Sequence, residues 1–96
     1  METTVRNNPE KSQYEIRDGD NVLGVAAYER RGDTTVFTHT AVDPDAGQNG
    51  LGSTLVRAAL DDVRSSGGSV VAQCSFVRGW IDRHPDYADL VVAGGR

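Results

Sequence analysis

The chain has 96 residues, of which 38% are hydrophobic and 25% charged, and this predicts one globular domain with a single core. Its 10 basic and 14 acidic side chains give a net charge of −4, which argues against nucleic acid as a partner, because phosphate backbones are bound by basic surfaces. The sequence lacks an apolar run near the roughly 20 residues of a membrane span, and its start does not resemble a signal peptide, so we expect a cytoplasmic protein that is independent of membranes.

The first half of the chain predicts antiparallel hairpins. Apolar residues alternate with polar ones, β-branched residues are frequent, and turn signals such as Asp-Gly-Asp-Asn and Arg-Gly-Asp separate the segments. Strands are expected, in chain order, at residues 4–7, 13–17, 22–30 and 34–42.

The second half changes to a helical period. After a loop at residues 43–49, apolar residues recur every four positions from Leu51, and the helix ends at a Ser-Ser-Gly-Gly segment. Residues 69–74 predict a short buried strand, residues 76–83 a second helix, and residues 86–92 either a helical turn or a short strand.

This order predicts an α+β fold. The hairpins are followed by one strand–helix–strand unit, and two strands joined by a single helix are normally parallel. The strand that contains Val36 should therefore run parallel to the strand that contains Val71. We expect a mixed β-sheet with antiparallel hairpins, one parallel β-α-β unit and a C-terminal helix.

A glycine-rich segment joins the last hairpin strand to the first helix. Its residues run Gly47, Gln48, Asn49, Gly50, Leu51, Gly52 and Ser53. The first turn of a helix has unpaired N–H groups and a partial positive charge, and glycines let a ligand approach that backbone. Together these features suit a diphosphate, even in an acidic protein. A bare G-x-G is, however, more often only a helix start with flexible glycines, because short motifs produce many false matches.

Other ligand-binding motifs fit this segment poorly. A P-loop would need Lys before the Ser/Thr position, but Ser53 follows Gly52 directly. A dinucleotide fingerprint would need glycine at Leu55. A calcium loop that began at Asp43 would need glutamate at Thr54, so no metal site is expected.

The segment resembles the Q/R-x-x-G-x-G/A motif of the GCN5-related N-acetyltransferases. Gly50 and Gly52 match the final positions, whereas Gly47 stands at the usual Gln/Arg position, with Gln48 beside it. The chain is most similar to the very small YjdJ-type (NATD1-like) members of that family, over about residues 5–91. The resembling segments are Asn8-Pro9-Glu10, Tyr14-Glu15-Ile16, His39-Thr40-Ala41-Val42, Cys74-Ser75-Phe76-Val77 and His84-Pro85-Asp86-Tyr87.

The resemblance implies a single acetyl-CoA-binding domain with a minimal acetyltransferase fold. The sheet should splay open beside the strand that precedes the glycine loop, and the pantetheine should lie in that gap. The residues implied in cofactor binding are Thr40, Ala41 and Val42 on the strand, and Gly47, Gln48, Asn49, Gly50, Leu51, Gly52 and Ser53 on the loop and helix start.

Two residues are candidates for catalysis. His39 lies at the cofactor end of its strand, and histidine is the side chain most often used as a general base, so it could accept a proton from the amine. The single cysteine, Cys74, cannot form an internal disulfide and is expected at the other side of the gap, as a nucleophile or as the proton donor to the leaving thiolate. The alternatives are a histidine that only pairs with its strand neighbours and a cysteine that only packs as a small hydrophobe.

The expected activity is acetyl-CoA-dependent transfer of acetyl to an unidentified amine, by direct transfer. The alternative from another class is a module that binds acetyl-CoA or CoA with little or no catalysis, since a short chain leaves little material for an acceptor pocket. A third interpretation, favoured only by Gly47, is an interaction domain that has lost the cofactor.

Overall fold

The computed structural model describes residues 3–43 and 50–92, which form one mixed sheet with helices packed against it. The five strands lie side by side in chain order: β1 (Thr4–Asn8), β2 (Gln13–Asp18), β3 (Asn21–Arg31), β4 (Thr34–Val42) and β5 (Ser69–Ala72). The first four pair antiparallel, whereas β4 and β5 pair parallel. The predicted α+β class and the parallel pairing of Val36 with Val71 are therefore confirmed.

Two helices follow the hairpins. α1 (Leu51–Ser65) connects β4 to β5, and α2 (Ser75–Arg83) follows β5 and leads into a terminal 3-10 helix, Pro85–Leu90. Val91 then forms a parallel β-bridge with Val70 on the outer edge of β5. Both alternatives predicted for residues 86–92 are therefore partly correct, since a helical turn is followed by a short extended segment. No helix in the described ranges is long and apolar enough to cross a membrane.

The core lies between the sheet and the helices. α1 buries one face, made of Leu51, Leu55, Val56, Ala59, Leu60 and Val63, as its period predicts. This face packs on Tyr14, Tyr28 and Phe37, whose ring centroids lie 5.4–6.4 Å apart. The Tyr14 hydroxyl donates to Asp62 of α1 over 2.7 Å. Burial raises the pKa of Tyr14 and the bond to Asp62 raises it further, so this tyrosine stays neutral and ties the sheet to the helix.

β4 and β5 separate after a short paired stretch. Their ladder runs from Thr34 opposite Ser69 to Phe37 opposite Ala72. The carbonyl of Phe37 then accepts from the N–H groups of both Gln73 and Cys74, at 3.0 and 2.9 Å. Because the chain turns away at this shared acceptor, β5 ends at Ala72, two residues before the predicted end at Cys74.

β4 also contains an extra residue at the point of separation. Tyr28 pairs with Phe37, but Ala27 pairs with His39, so Thr38 is a β-bulge. Residues 38–42 continue along β3 with no partner in β5. The sheet therefore opens on one edge of β4, next to the start of α1.

Candidate functional site

A cleft of about 530 Å³ lies where the two strands separate. β4, the first turn of α1 and one face of α2 form its walls. The described residues that line it are Thr40, Val42, Gly50, Leu51, Gly52, Ser53, Phe76, Trp80, Arg83 and His84. Six of the residues expected at the cofactor are therefore brought together in one cavity.

The start of α1 presents the backbone N–H groups of its first turn to this cleft. Gly50 caps the helix with φ 92°, a left-handed conformation that favours glycine, and no side chain caps the helix. The first hydrogen bond of the helical pattern runs from Thr54 N to the Gly50 carbonyl over 2.8 Å, so the N–H groups of residues 51–53 precede it. The first turn carries no acidic side chain. This helix start therefore favours an anion.

Gly52 lets the Phe76 ring pack directly against the first turn of α1. A Cβ atom at Gly52 would lie 2.8 Å from Cζ of Phe76, which is closer than van der Waals contact allows. Phe76 is 40% exposed, so it does not belong to the core. Its side chain faces the cleft because α2 begins beyond the end of β5 and its first turn lies against the start of α1.

The predicted strand residues divide between the two faces of the sheet. Thr40 and Val42 line the cleft, whereas His39 and Ala41 are exposed. Because successive side chains of a strand point to opposite faces, His39 and Ala41 point away from the cleft. The structure thus does not bring the His39 side chain into the cavity.

Cys74 lies next to the cleft and caps the N-terminus of α2. It is 8% exposed, and its Sγ lies 3.3 Å from Oγ1 of Thr40. Thr40 lines the cavity, while Cys74 is not among its described lining residues. The Cys74 thiol therefore contacts the Thr40 hydroxyl, which lines the cleft.

The far end of the cleft is built from α2 and was not predicted from the sequence. Trp80 donates from Nε1 to Oγ of Ser53 over 2.8 Å, which joins α2 to the first turn of α1. His84 stacks on the Trp80 ring, with 3.8 Å between the ring centroids. The guanidinium carbon of Arg57 lies 5.3 Å from the centroid of the Trp80 ring. Phe76, Trp80 and Arg83 recur at helical spacing in the sequence, but this spacing alone does not distinguish the wall of a cleft from a face in the core.

Gly47, Gln48 and Asn49, which the sequence places at the cofactor, lie outside the described residues. Their contribution to the site stays a prediction.

Comparisons with known proteins agree with this geometry. The family model described as GCN5-related N-acetyl-transferase matches residues 13–90. An NMR structure of a GCN5-like protein from Staphylococcus aureus superimposes with a TM-score of 0.70 at 22% identity, covering 93% of this chain and 87% of the other. The ribosomal-protein-S18-alanine N-acetyltransferase of Escherichia coli gives a TM-score of 0.63 at 18% identity and covers 80% of this chain, which spans only 54% of that enzyme. These likenesses are of fold, and no curated protein gives a significant match.

Proposed function

The chain belongs to the family of GCN5-related N-acetyltransferases, and from this premise we propose that it binds acetyl-CoA in the cleft and transfers the acetyl group to an amine. The observation that carries the proposal is the cleft itself, which opens where β5 separates from β4 and reaches the first-turn amides of α1. On resemblance, we further assign the chain to the very small YjdJ-type subfamily.

The residues of the cleft fit a CoA thioester. Gly52 has no side chain that could cover the first turn of α1, and the amides of residues 51–53 offer donors for the diphosphate. Residues 40–42 have no β5 partner, so their backbone can pair with the pantetheine amides. Gly47, Gln48 and Asn49 complete this proposed binding loop.

The proposed reaction is direct transfer, for which the bound thioester supplies the activated acetyl group. The amine nitrogen bonds to the acetyl carbon, the carbon–sulfur bond breaks, and the sulfur takes a proton. Cys74 donates that proton through the Thr40 hydroxyl, since its Sγ lies 3.3 Å from Oγ1. His39, on the opposite face of β4, accepts the proton that the amine loses, and an acceptor would approach from that side.

A binding module without efficient catalysis is the second candidate. The observation that favours it is the separation of the two candidate catalytic groups, because Cys74 is buried behind Thr40 and His39 is exposed on the other face. Turnover with a panel of amines distinguishes the two candidates, since both predict CoA binding.

Gly52→Val tests the binding site. A branched side chain at this position would enter the space between the first turn of α1 and Phe76, so we expect the affinity for CoA to fall by at least about tenfold. Isothermal titration with CoA measures the effect. Gly52 is a better target than Gly50, because the φ of 92° at Gly50 would strain any other residue and confuse binding with stability.

The matched control is Thr54→Val, which places the same side chain on the exposed side of the same helical turn. This variant should bind CoA like the wild type. Equal CoA affinity of Gly52→Val and wild type would contradict the proposed location of the cofactor.

A further inference from the structure

One face of α2 lines the cleft along its whole length. Phe76, Trp80 and Arg83 are spaced so that they lie on one side of α2, and His84 follows directly after its last residue and also lines the cleft. Cys74 marks the end near the proposed thioester, and Arg83 lies about 13 Å further along the axis at 1.5 Å per residue. Arg83 and His84 therefore occupy the end of the cleft that would receive the phosphorylated half of the cofactor.

The charge of this end is opposite to that of the protein. The net charge of the chain is −4, yet the described residues that line the cleft include a guanidinium and an imidazole and no carboxylate. Within residues 3–43 and 50–92, ion pairs engage Arg17, Arg31 and Arg64 but not Arg83. The Arg83 side chain is exposed and lines the cleft, so an anionic ligand bound there can reach it.

His84 is held in a fixed orientation beside Arg83. Its ring stacks on Trp80 with an interplanar angle of 12°, and Nδ1 lies 2.8 Å from the Trp80 carbonyl. Because that carbonyl can only accept, Nδ1 carries the proton, and Nε2 is the nitrogen left to meet a ligand.

We propose that Arg83 and His84 form a phosphate subsite for the nucleotide half of acetyl-CoA, an inference that rests on the proposed function. The glycine loop carries Gly47 where related loops carry Gln or Arg, so it lacks a long donor side chain at that position. Arg83 supplies the missing donor from a different element, and a guanidinium can bind phosphate oxygens in bidentate geometry. The cleft thereby holds its anion between the amides of α1 and the cations of α2.

The test is isothermal titration of CoA and 3′-dephospho-CoA into wild type, Arg83→Gln, Arg83→Lys and His84→Gln. Arg83→Gln should weaken CoA binding by about tenfold or more, Arg83→Lys by less, and His84→Gln by about threefold. If Arg83→Gln weakens both ligands equally, Arg83 contacts the diphosphate; if it weakens only CoA, it contacts the 3′-phosphate. Either result supports the subsite.

Arg6→Gln is the control, because it removes the same charge from an exposed position on β1, at the opposite edge of the sheet. It should bind CoA like the wild type, and the melting temperature of each unliganded variant reports on its folding. Unchanged CoA affinity in Arg83→Gln, while wild type binds, overturns the subsite alone. Absence of CoA binding by wild type overturns the proposed function as well.

Discussion

Trp80→Ala is expected to lower the free energy of unfolding by about 3–5 kcal/mol, as is typical when a large aromatic residue is removed from a core. Trp80 is 1% exposed and packs edge-on against Tyr87 at 5.1 Å. It also holds α2 to α1 through the bond from Nε1 to Ser53. Because a domain of this size has a total stability of about 5–15 kcal/mol, the variant should be close to unfolding at 25 °C. Urea denaturation measures the change.

Two further variants separate the contributions of Trp80. Phe76→Ala removes an aromatic ring from the same helix, but one that is 40% exposed, so it should cost less than about 1 kcal/mol. Trp80→Phe keeps most of the packing and removes the donor to Ser53, for an expected cost of about 1–2 kcal/mol. A loss below about 1 kcal/mol in Trp80→Ala would contradict the role of this residue as the joint between α1 and α2.

Cys74→Ala is expected to lower kcat by about 100-fold and to leave the affinity for CoA nearly unchanged. The thiol lies behind Thr40, 3.3 Å from its hydroxyl, and the proposed cofactor contacts are backbone groups of α1 and β4. Removal of Sγ therefore takes away the proton for the leaving thiolate but no binding contact. Steady-state kinetics with a reactive amine, together with CoA titration, measure the two effects separately.

Cys74→Ser distinguishes the two chemical roles of the thiol. A hydroxyl keeps a donor beside Thr40 but is a poor nucleophile, so direct transfer predicts partial activity in this variant and double displacement predicts almost none. The low exposure of Cys74 supports direct transfer, since a buried sulfur has little access to the acetyl carbon. Full activity of Cys74→Ala would contradict a catalytic role and would show that Cys74 only packs in the core. An acetyl-Cys74 that discharges to an amine at the turnover rate would contradict direct transfer.

The sequence predicts most of the fold because its periods change clearly along the chain. β4 is predicted with its observed bounds, Thr34–Val42, and α1 begins and ends within one residue of its predicted limits. The parallel pairing of β4 and β5 follows from the single helix between them. The bulge at Thr38 is not predictable, because it arises from the register between β3 and β4 and no local residue type requires it.

The site is predicted in part, for physical reasons that differ between its walls. The glycine-rich segment predicts the start of α1 from local residue types alone. Gly50, Gly52 and Ser53 line the cleft, as the sequence predicts. The α2 wall depends on where the helix points after β5, which the shared bond to the Phe37 carbonyl determines. An amphipathic pattern cannot tell a face that meets a cleft from a face that meets the core. For that reason the exposure of Phe76 and the position of Arg83 emerge only from the structure.

The most direct test of the central claim is a titration of uniformly ¹⁵N-labelled protein with CoA, followed by ¹H–¹⁵N correlation spectra. We expect the largest shift changes on the amides of Thr40, Val42 and residues 50–53 and on the indole N–H of Trp80, because all of these residues line the cleft. Amides of β1 and of the β1–β2 turn, at the opposite edge of the sheet, should not change. Spectra that stay unchanged at saturating CoA, or changes confined to that opposite edge, would contradict the assignment of the cleft as the cofactor site.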